Sequence, residues 1–375
     1  MGIGHVTSSH QLDAHAGTAY RAGIIGSGFM GRVHAHAIRA TGGQVVGIVA
    51  STPARSHAAA AESGAERPVA VADELIDADD INVIHVCTPN HLHESQSLAA
   101  LKAGKHVVCE KPLATSVVGA AELVSAAADH GRVATVPFVY RFHPMVREAR
   151  ERVRHGDLGR VTLAHGSYLQ DWLVLPTDDN WRVDPALGGP SRAFADIGSH
   201  WCDLLEFVTG DRIDRVSAQS STAIPERGGR AVTTEDVVTM QFATTGGVVG
   251  SAVISQISPG HKNRLFLEVS GLAGTVAFDQ EQPEVLWRGA REHSATLVRD
   301  PDTLSPAAAR YARVPAGHPQ GYQDCFNALV ADTRAAIAGA VPDGLPTFED
   351  GLRAARIAEA VLNSIESRQW VQVEP

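Results

Sequence analysis

The sequence predicts an α/β protein with two domains: an N-terminal, doubly wound parallel sheet and a C-terminal α/β domain with an open, predominantly antiparallel sheet. Its 375 residues exceed the length at which a single hydrophobic core usually stops growing. From Tyr20 onward, short apolar runs alternate with longer helical stretches, a pattern typical of βαβ units. After about Val139 the runs resemble alternating strands, which is typical of an antiparallel sheet.

The first domain is predicted over residues 20–138, after a loose N-terminal extension over residues 1–19. Its expected strands are the apolar runs at residues 22–25, 44–50, 82–87, 106–109 and 132–136. The intervals between them leave room for right-handed crossover helices. Two of these helices are predicted over residues 30–40 and 113–130, and Gly131 is placed to end the second.

The second domain is predicted over residues 139–375. Its expected strands lie at residues 160–168, 216–221, 237–242, 248–257 and 264–269. One helix is predicted over residues 197–209, where Gly210 ends it. Another, over residues 348–366, follows a capping-box pattern formed by Thr347 and Asp350, and we expect it to pack near the first domain.

The composition argues against several classes of partner and location. A formal net charge of −10 without clustered lysines and arginines argues against nucleic acid. No apolar run reaches the roughly 18 residues that span a bilayer, and the first residues lack a signal-peptide segment. The scattered cysteines form no CxxC pair, which indicates a reducing, cytoplasmic compartment: Cys87, Cys109, Cys202 and Cys325.

A glycine-rich turn follows the first predicted strand and precedes the first predicted helix. Its G-x-G-x-x-G pattern indicates a Rossmann-type dinucleotide site, because glycines permit a tight turn and a close approach of backbone to pyrophosphate. The N–H groups of the following helix favour phosphate charge. The alternative, a turn without a ligand, is disfavoured by the flanking strand and helix. The expected contacts are Gly26, Ser27, Gly28, Phe29, Met30 and Gly31.

The residues after the second predicted strand bear on the cofactor's identity. NAD enzymes usually place an acid about 20 residues beyond the glycines to bind the ribose hydroxyls. Here Ser51, Thr52 and Arg55 occupy that neighbourhood, and their groups suit a 2′-phosphate. NADP(H) is therefore favoured, with NAD(H) possible. In the alternative, Ser51 and Thr52 cap the next helix and Arg55 is solvated.

Two further turns lie where parallel strands end, which is where ligands bind in a doubly wound sheet. One holds Thr88, Pro89 and Asn90 with His93 nearby, and the other holds Glu110 and Lys111 before a proline. We expect both turns to line the nicotinamide pocket.

The predicted helix at 197–209 carries an apolar face and a second face with Asp196, His200 and Asp203 at spacings of four and seven residues. Asp196 has an alternative interpretation as a helix N-cap, and His200 as a buried, satisfied histidine. For Asp203, two interpretations are equally favoured: a contact with the substrate, or a structural partner of another side chain.

These motifs together resemble the glucose-fructose oxidoreductase / inositol dehydrogenase (Gfo/Idh/MocA) family over nearly the whole chain. The resemblance implies a Rossmann domain, a second domain that binds substrate and forms homodimers or homotetramers through its sheet, and hydride transfer between nicotinamide and a secondary hydroxyl or carbonyl. It implies a sugar, a sugar derivative or a cyclitol as substrate.

Roles for the site residues follow as hypotheses. His200, expected to titrate near neutrality, is the general acid or base. Lys111 hydrogen-bonds the reacting oxygen and stabilises alkoxide character, and Asp196 orients the substrate or the imidazole. The substrate cup is expected to include further polar and aromatic groups, although Trp172 has an alternative place in the core: Tyr140, Arg141, Trp172, His318 and Tyr322.

No metal site is expected, because the His34-x-His36 and His91-x-His93 pairs have no evident third ligand. Two competing functions remain. One is a redox-neutral enzyme that uses held NAD to cleave glycosides, and the other is a cofactor-sensing partner without catalysis. A sensor would not need Lys111 or His200.

Overall fold

The computed structural model describes residues 19–375, so the extension predicted over residues 1–19 lies outside the described residues except for Ala19. The strands of the first domain are β1 (Arg21–Ile25), β2 (Gln44–Val49), β3 (Arg67–Val69), β4 (Val83–Val86), β5 (His106–Cys109) and β6 (Ala134–Thr135). Its helices are α1 (Phe29–Ala40), α2 (Pro53–Ser63), α3 (Ala72–Ile76), α4 (His93–Lys102) and α5 (Val117–Asp129).

Within the described residues, these six strands form one parallel sheet in the order β3-β2-β1-β4-β5-β6. Both faces are covered by helices, which is why the strands are apolar almost throughout. The helix predicted from residue 113 begins later, at Val117, because the Ser116 hydroxyl caps it by accepting from Gly119 N at 3.0 Å.

The second domain contains most of the remaining elements. Its helices are α6 (Pro144–Arg154), α7 (Pro185–Gly188), α8 (Ser199–Thr209), α9 (Pro306–Ala309), α10 (Tyr322–Ile337) and α11 (Phe348–Ser367). Its strands are β7 (Val161–Leu169), β8 (Ile213–Ser221), β9 (Glu226–Arg227), β10 (Arg230–Ala231), β11 (Val237–Thr244), β12 (Val249–Ser255), β13 (Arg264–Gly271), β14 (Thr275–Asp279), β15 (Val285–Gly289), β16 (Ser294–Val298) and β17 (Val371–Gln372).

Among the described residues, nine of these strands form one sheet in the order β16-β15-β14-β13-β7-β12-β11-β8-β17. Neighbours are antiparallel except β7 and β12, which run parallel. The predicted fold class, a parallel Rossmann sheet followed by a predominantly antiparallel one, is therefore confirmed. One face of the second sheet packs on α6, α8 and α11. The other face carries exposed apolar side chains, among them Leu163, Val249, Val253 and Trp287.

Two helices near the C-terminus return to the first domain. α10 packs beside α1, and its Phe326 and Leu329 belong to the apolar cluster on that side of the parallel sheet. α11 lies between α5 and β8, and Phe348 and Leu352 join the cluster on the opposite side. The cleft between the domains is thus flanked by helices that contact both. In residues 19–375, no helix has both the length and the apolarity needed to cross a membrane.

Candidate active site

The glycine turn between β1 and α1 is set by contacts that exclude side chains. Gly26 has a φ of +108°, and a Cβ there would lie 2.4 Å from the Cys87 carbonyl oxygen. A Cβ at Gly31 would lie 2.2 Å from the Gly26 carbonyl oxygen. The backbone at Ser27 therefore makes its tight bend against the end of β4, as the motif predicts.

Gly28 differs from its two neighbours, and the difference tests the fit of a dinucleotide. A Cβ at Gly28 would meet no described atom within 4 Å, and no side chain from residues 19–375 caps α1 there. The N–H groups of the first helical turn, at Phe29 and Met30, thus have no side-chain cap among residues 19–375. This is the arrangement that binds a pyrophosphate, so the residues fit a dinucleotide cofactor.

The three residues after β2 that bear on the cofactor, Ser51, Thr52 and Arg55, are hydrogen-bonded to one another. Thr52 Oγ1 accepts from Arg55 N at 3.3 Å and caps α2, as the alternative interpretation had it. Arg55 Nη1 donates to Ser51 Oγ at 3.0 Å, and all three residues are exposed.

The turn after β4 is held to the turn after β5 by one histidine. His93 Nδ1 and Nε2 lie 2.7 Å and 2.9 Å from the carbonyl oxygens of Pro112 and Thr88. Asn90 Nδ2 donates to the Gly188 carbonyl at 2.8 Å, and the Pro89 carbonyl accepts from Leu92 N at 3.0 Å. His93 and Asn90 thus position the turns rather than projecting freely into the cleft.

Glu110, at the end of β5, is buried. Its Oε1 lies 2.9 Å from His34 Nε2, and its Oε2 accepts from Lys111 N at 3.2 Å. Burial opposes ionisation of Glu110, whereas its contacts with His34 and Lys111 favour the carboxylate, and its pKa is lowered.

Lys111 and Asp196 meet at the cleft. Lys111 Nζ donates to Asp196 Oδ1 at 2.6 Å and to its carbonyl oxygen at 2.8 Å. The two side chains retain 12% and 14% exposure, so both face the cleft. Gln256 Nε2 donates to Asp196 Oδ2 at 2.8 Å, and Arg182 Nε lies 3.4 Å from Oδ1. Burial would raise the pKa of Asp196, but the charges of Lys111 and Arg182 lower it, so this aspartate is ionised.

A π-helical turn carries Asp196. The helical segment begins at Phe194 rather than at residue 197, with a π turn over Phe194–Gly198 that continues into α8. Asp196 therefore lies inside the helical segment and is not its N-cap. The physical cause is Glu235, whose carboxylate accepts from the backbone N atoms of Arg192 and Phe194 at 3.0 Å and so caps the segment earlier.

His200 lies one turn beyond Asp196, enclosed by aromatic rings. The ring centroids of Phe138, Tyr140 and Tyr168 lie 5.6, 5.0 and 6.4 Å from the imidazole. Burial, with a smaller effect of the Lys111 charge, lowers the pKa of His200 well below the ordinary 6.5, so the expectation of titration near neutrality is wrong. Its buried Nδ1 has no hydrogen-bond partner in residues 19–375. His200 is thus a neutral imidazole.

Next to His200, a chain of hydrogen bonds links polar groups around the end of β7. The hydroxyls of Tyr140 and Tyr168 contact each other, and Tyr168 donates to Asn263 Oδ1 at 2.7 Å. Gln170 Nε2 donates to the same oxygen at 2.8 Å, and Trp172 Nε1 donates to Gln170 Oε1 at 2.8 Å. Trp172 is half-buried and packs against Leu173, so it is only partly a core residue.

Comparison with known proteins identifies the family. Residues 20–138 match the model described as "Oxidoreductase family, NAD-binding Rossmann fold", and residues 146–277 match the "GFO/IDH/MocA C-terminal domain". The chain belongs to the Gfo/Idh/MocA oxidoreductase family. The predicted family and the prediction of an enzyme are thereby confirmed.

Individual relatives cover nearly all of this oxidoreductase. Levoglucosan dehydrogenase of Pseudarthrobacter phenanthrenivorans is 31% identical over 94% of this chain and 97% of its own length. 1,5-Anhydro-D-fructose reductase of Ensifer adhaerens is 34% identical over 62% of this chain and 75% of its own. A solved levoglucosan dehydrogenase in complex with NADH and levoglucosan superposes with a TM-score of 0.90, at 30% identity over 95% of this chain and all of that one.

Not all predicted site residues of this Gfo/Idh/MocA oxidoreductase come together. Arg141 donates from Nε to Asp203 at 2.9 Å and from Nη2 to Asp350 at 2.7 Å, so two carboxylates engage its guanidinium. Burial raises the pKa of Asp203 to about 7 despite Arg141. Asp203 is thus a structural partner. The His318 side chain is exposed and makes no described contact with the group around Lys111.

Tyr322 lies between the glycine turn and the aromatic residues around His200. Its ring stacks on Phe29 of the glycine turn with centroids 6.5 Å apart, and its hydroxyl lies 3.9 Å from Met30 Sδ. Its ring also lies 6.3 Å from that of Tyr140.

Four residues that surround the site in this oxidoreductase were not predicted from the sequence: Tyr168, Glu235, Gln256 and Asn263. One of them carried a signal. Gln256 interrupts the apolar run at residues 253–257, and a polar residue inside a buried run needs a partner.

Proposed function

We propose that this oxidoreductase oxidises, or in reverse forms, a secondary alcohol on the ring of an anhydrosugar or a closely similar pyranose or cyclitol. The observation that carries this proposal is the contact of Lys111 with Asp196, one helical turn from a neutral His200. Two of the relatives are named after an anhydrosugar, levoglucosan in one case and 1,5-anhydro-D-fructose in the other, which supports the anhydrosugar class.

The side chains divide the work on the reacting hydroxyl. An ammonium group has three N–H donors, and Asp196 accepts two of those of Lys111, which leaves one for the reacting oxygen. That donor stabilises the negative charge that develops as the hydroxyl loses its proton. The nicotinamide supplies the hydride chemistry when bound.

His200 is assigned as the base. Its Nδ1 is buried, so Nε2 is the atom that takes the hydroxyl proton in oxidation and returns it in reduction. A neutral imidazole is ready to accept a proton, and the nearby carboxylate of Asp196 favours the imidazolium that forms.

The wall beside His200 suits a polyhydroxylated ring. Tyr140, Tyr168, Asn263 and Gln170 offer hydroxyl and amide groups, and Trp172 offers an aromatic surface on which the apolar face of a sugar ring stacks. Of the other predicted contacts, Tyr322 is retained in the cup through its position between Met30 and Tyr140.

A substrate screen tests the proposal. The purified enzyme is incubated with levoglucosan, other anhydrosugars, cyclitols, free sugars and glycosides, with NAD+ and with NADP+, and the reduced nicotinamide is followed by absorbance. We expect accumulation with at least one anhydrosugar or cyclitol. Cleavage of a glycoside without accumulation would favour the redox-neutral alternative, and cofactor binding without turnover of any compound would favour a sensor.

We propose that the ribose end of the site favours NADP(H) while still admitting NAD(H). Residues 50–61, which follow β2, include no carboxylate, and the exposed Arg55 and Ser51 carry groups that suit a 2′-phosphate, which supports this preference. Arg55→Ala should weaken NADP+ binding by about tenfold and leave NAD+ binding nearly unchanged. Calorimetric titration with both cofactors measures this, and equal losses for the two would contradict the assignment.

We propose a homodimer or homotetramer that uses the uncovered face of the nine-stranded sheet. Its side chains include Leu163, Val249 and Val253, which lie on neighbouring strands. The mass of the wild type and of Val253→Glu by light scattering tests this. A monomeric wild type would exclude it.

We also propose a cytoplasmic location, because the cysteines of the described chain are free thiols and three of them are buried. Fractionation of the native host with antibody detection tests this.

A further inference from the structure

Four buried polar side chains form a hydrogen-bonded chain inside the first domain, and none of them takes part in the proposed proton transfer. Tyr20 Oη lies 2.8 Å from His85 Nε2, and His85 Nδ1 lies 2.8 Å from His34 Nδ1. His34 Nε2 lies 2.9 Å from Glu110 Oε1. All four residues are buried, and the chain ends beside Lys111 at the carboxyl end of β5.

Counting the available hydrogen atoms shows which group donates and which accepts in each hydrogen bond of this chain. A hydroxyl that donates to His85 Nε2 leaves Nδ1–H to donate to His34, and His34 Nε2–H then donates to Glu110. Every ring nitrogen is satisfied with both imidazoles neutral. In the alternative pattern, a doubly protonated His34 donates to His85 Nδ1, and His85 Nε2–H donates to the Tyr20 oxygen. The hydroxyl hydrogen of Tyr20 would then need another acceptor. Residues 19–375 provide none. The structure thus favours neutral histidines and an ionised Glu110.

Two observations on groups near Glu110 bear on this charge. The Lys111 ammonium is engaged by Asp196, and Lys111 contacts Glu110 through its backbone N. Burial lowers the pKa of His85, which agrees with a neutral imidazole at that position. The groups that face Glu110 from the elements packed around it are His34, Cys87, His93, Cys109, Lys111 and Tyr322.

We propose that the Tyr20–His85–His34 chain holds Glu110 as a carboxylate at the nicotinamide pocket and thereby favours binding of the oxidised cofactor over the reduced one. Oxidised nicotinamide carries a positive charge that the reduced ring lacks, so a fixed negative charge discriminates between them. Tyr20, His85 and His34 are positioning residues. The inference rests on a nicotinamide cofactor at the glycine turn, and it is independent of which sugar reacts.

Binding titrations test the charge directly. Dissociation constants of the oxidised and the reduced cofactor are measured by calorimetry for the wild type, Glu110→Gln and the control Glu122→Gln on the exposed face of α5. In Glu110→Gln, the preference for the oxidised form should fall by roughly five- to tenfold, whereas Glu122→Gln leaves it unchanged. An unaltered preference in a folded Glu110→Gln protein would overturn the proposal.

The positioning role has a separate readout. His34→Phe removes the donor to Glu110, so the pKa of this buried carboxyl rises. The cofactor preference of His34→Phe should then decline as the pH falls from about 9 to 6, while that of the wild type stays flat. A flat profile in the variant would show that the chain does not hold the charge.

A measurement on the wild type keeps the proposal testable if His34→Phe does not fold. Nitrogen-15 NMR of the histidine rings in the cofactor-free protein should show His34 protonated at Nε2 and His85 at Nδ1, both neutral. An imidazolium signal from His34 would overturn the proposed direction of the chain. None of these experiments needs a sugar substrate, so their failure would leave the proposed reaction unaffected.

Discussion

The two halves of the site offer different kinds of groups to their ligands. The glycine turn presents backbone: Gly26 and Gly31 are closed off by neighbouring carbonyls, and Gly28 opens onto empty space. The substrate half presents side chains, with Lys111 and Asp196 at its centre. Substitutions that add a side chain should therefore impair cofactor binding at the glycine turn, whereas substitutions that remove a side chain should impair turnover in the substrate half.

The largest effect is expected where a side chain is removed at the centre of the substrate half. Lys111→Ala should lower kcat by about 10³-fold, because it deletes the donor to the reacting oxygen and one of the two cations beside Asp196. Cofactor dissociation constants should change little. Steady-state kinetics and calorimetry measure this, with Lys102→Ala on the exposed side of α4 as a control. Near-normal turnover would remove Lys111 from the mechanism.

His200→Asn should lower kcat by about 10²-fold. In the wild type the histidine pKa is lowered, so the base stays unprotonated and active until the pH falls well below 6.5. The acidic limb of kcat/KM for oxidation should therefore lie below that value and be lost in the variant. If the acidic limb of kcat/KM persists unshifted in His200→Asn, the ionisation that causes it belongs to another group.

Adding one methyl group should separate two functions of the glycine turn, phosphate binding and close packing of the backbone. Gly28→Ala fits without contact, so its Tm should equal that of the wild type while cofactor affinity falls by roughly tenfold or more. Gly31→Ala would press against the Gly26 carbonyl, so it should lower Tm as well. Thermal unfolding and cofactor titration of both variants check this. Unchanged affinity in Gly28→Ala would mean that the space holds no phosphate.

The smallest effect is expected one contact away from the reacting groups. Gln256→Met keeps the length of the side chain but removes the donor to Asp196, so kcat should fall about five- to tenfold with KM nearly unchanged. Gln369→Met, at an exposed position, is the control. A loss of substrate affinity instead would indicate that Gln256 contacts the sugar.

The same contrast explains what the sequence could predict. The glycine turn depends on consecutive residues between a strand and a helix, so its placement could be predicted from local pattern. The fold class followed from the change in hydrophobic periodicity after about Val139, and the structure confirms it. Lys111 and Asp196 were recognised through motifs, and the structure places them in contact.

Features that depend on packing between distant elements were missed. Gln256 reaches Asp196 only because β12 ends beside the π-helical turn, and no spacing in the sequence indicates that proximity. The low pKa of His200 depends on burial by aromatic rings from two other segments, one with Phe138 and Tyr140 and one with Tyr168. The early start of the helical segment depends on Glu235, about 40 residues further along the chain.

The π turn at Phe194–Gly198 also restricts which insertions and deletions this chain tolerates. Each residue of a helix turns the next by about 100°, so a wider turn shifts Asp196 around the axis relative to α8. Deleting Gly198, which lies against the Phe194 ring, would rewind the segment and rotate the carboxylate away from Lys111 without removing a single reactive atom. The contact between Lys111 and Asp196 across the cleft thus depends on one extra residue in the π turn.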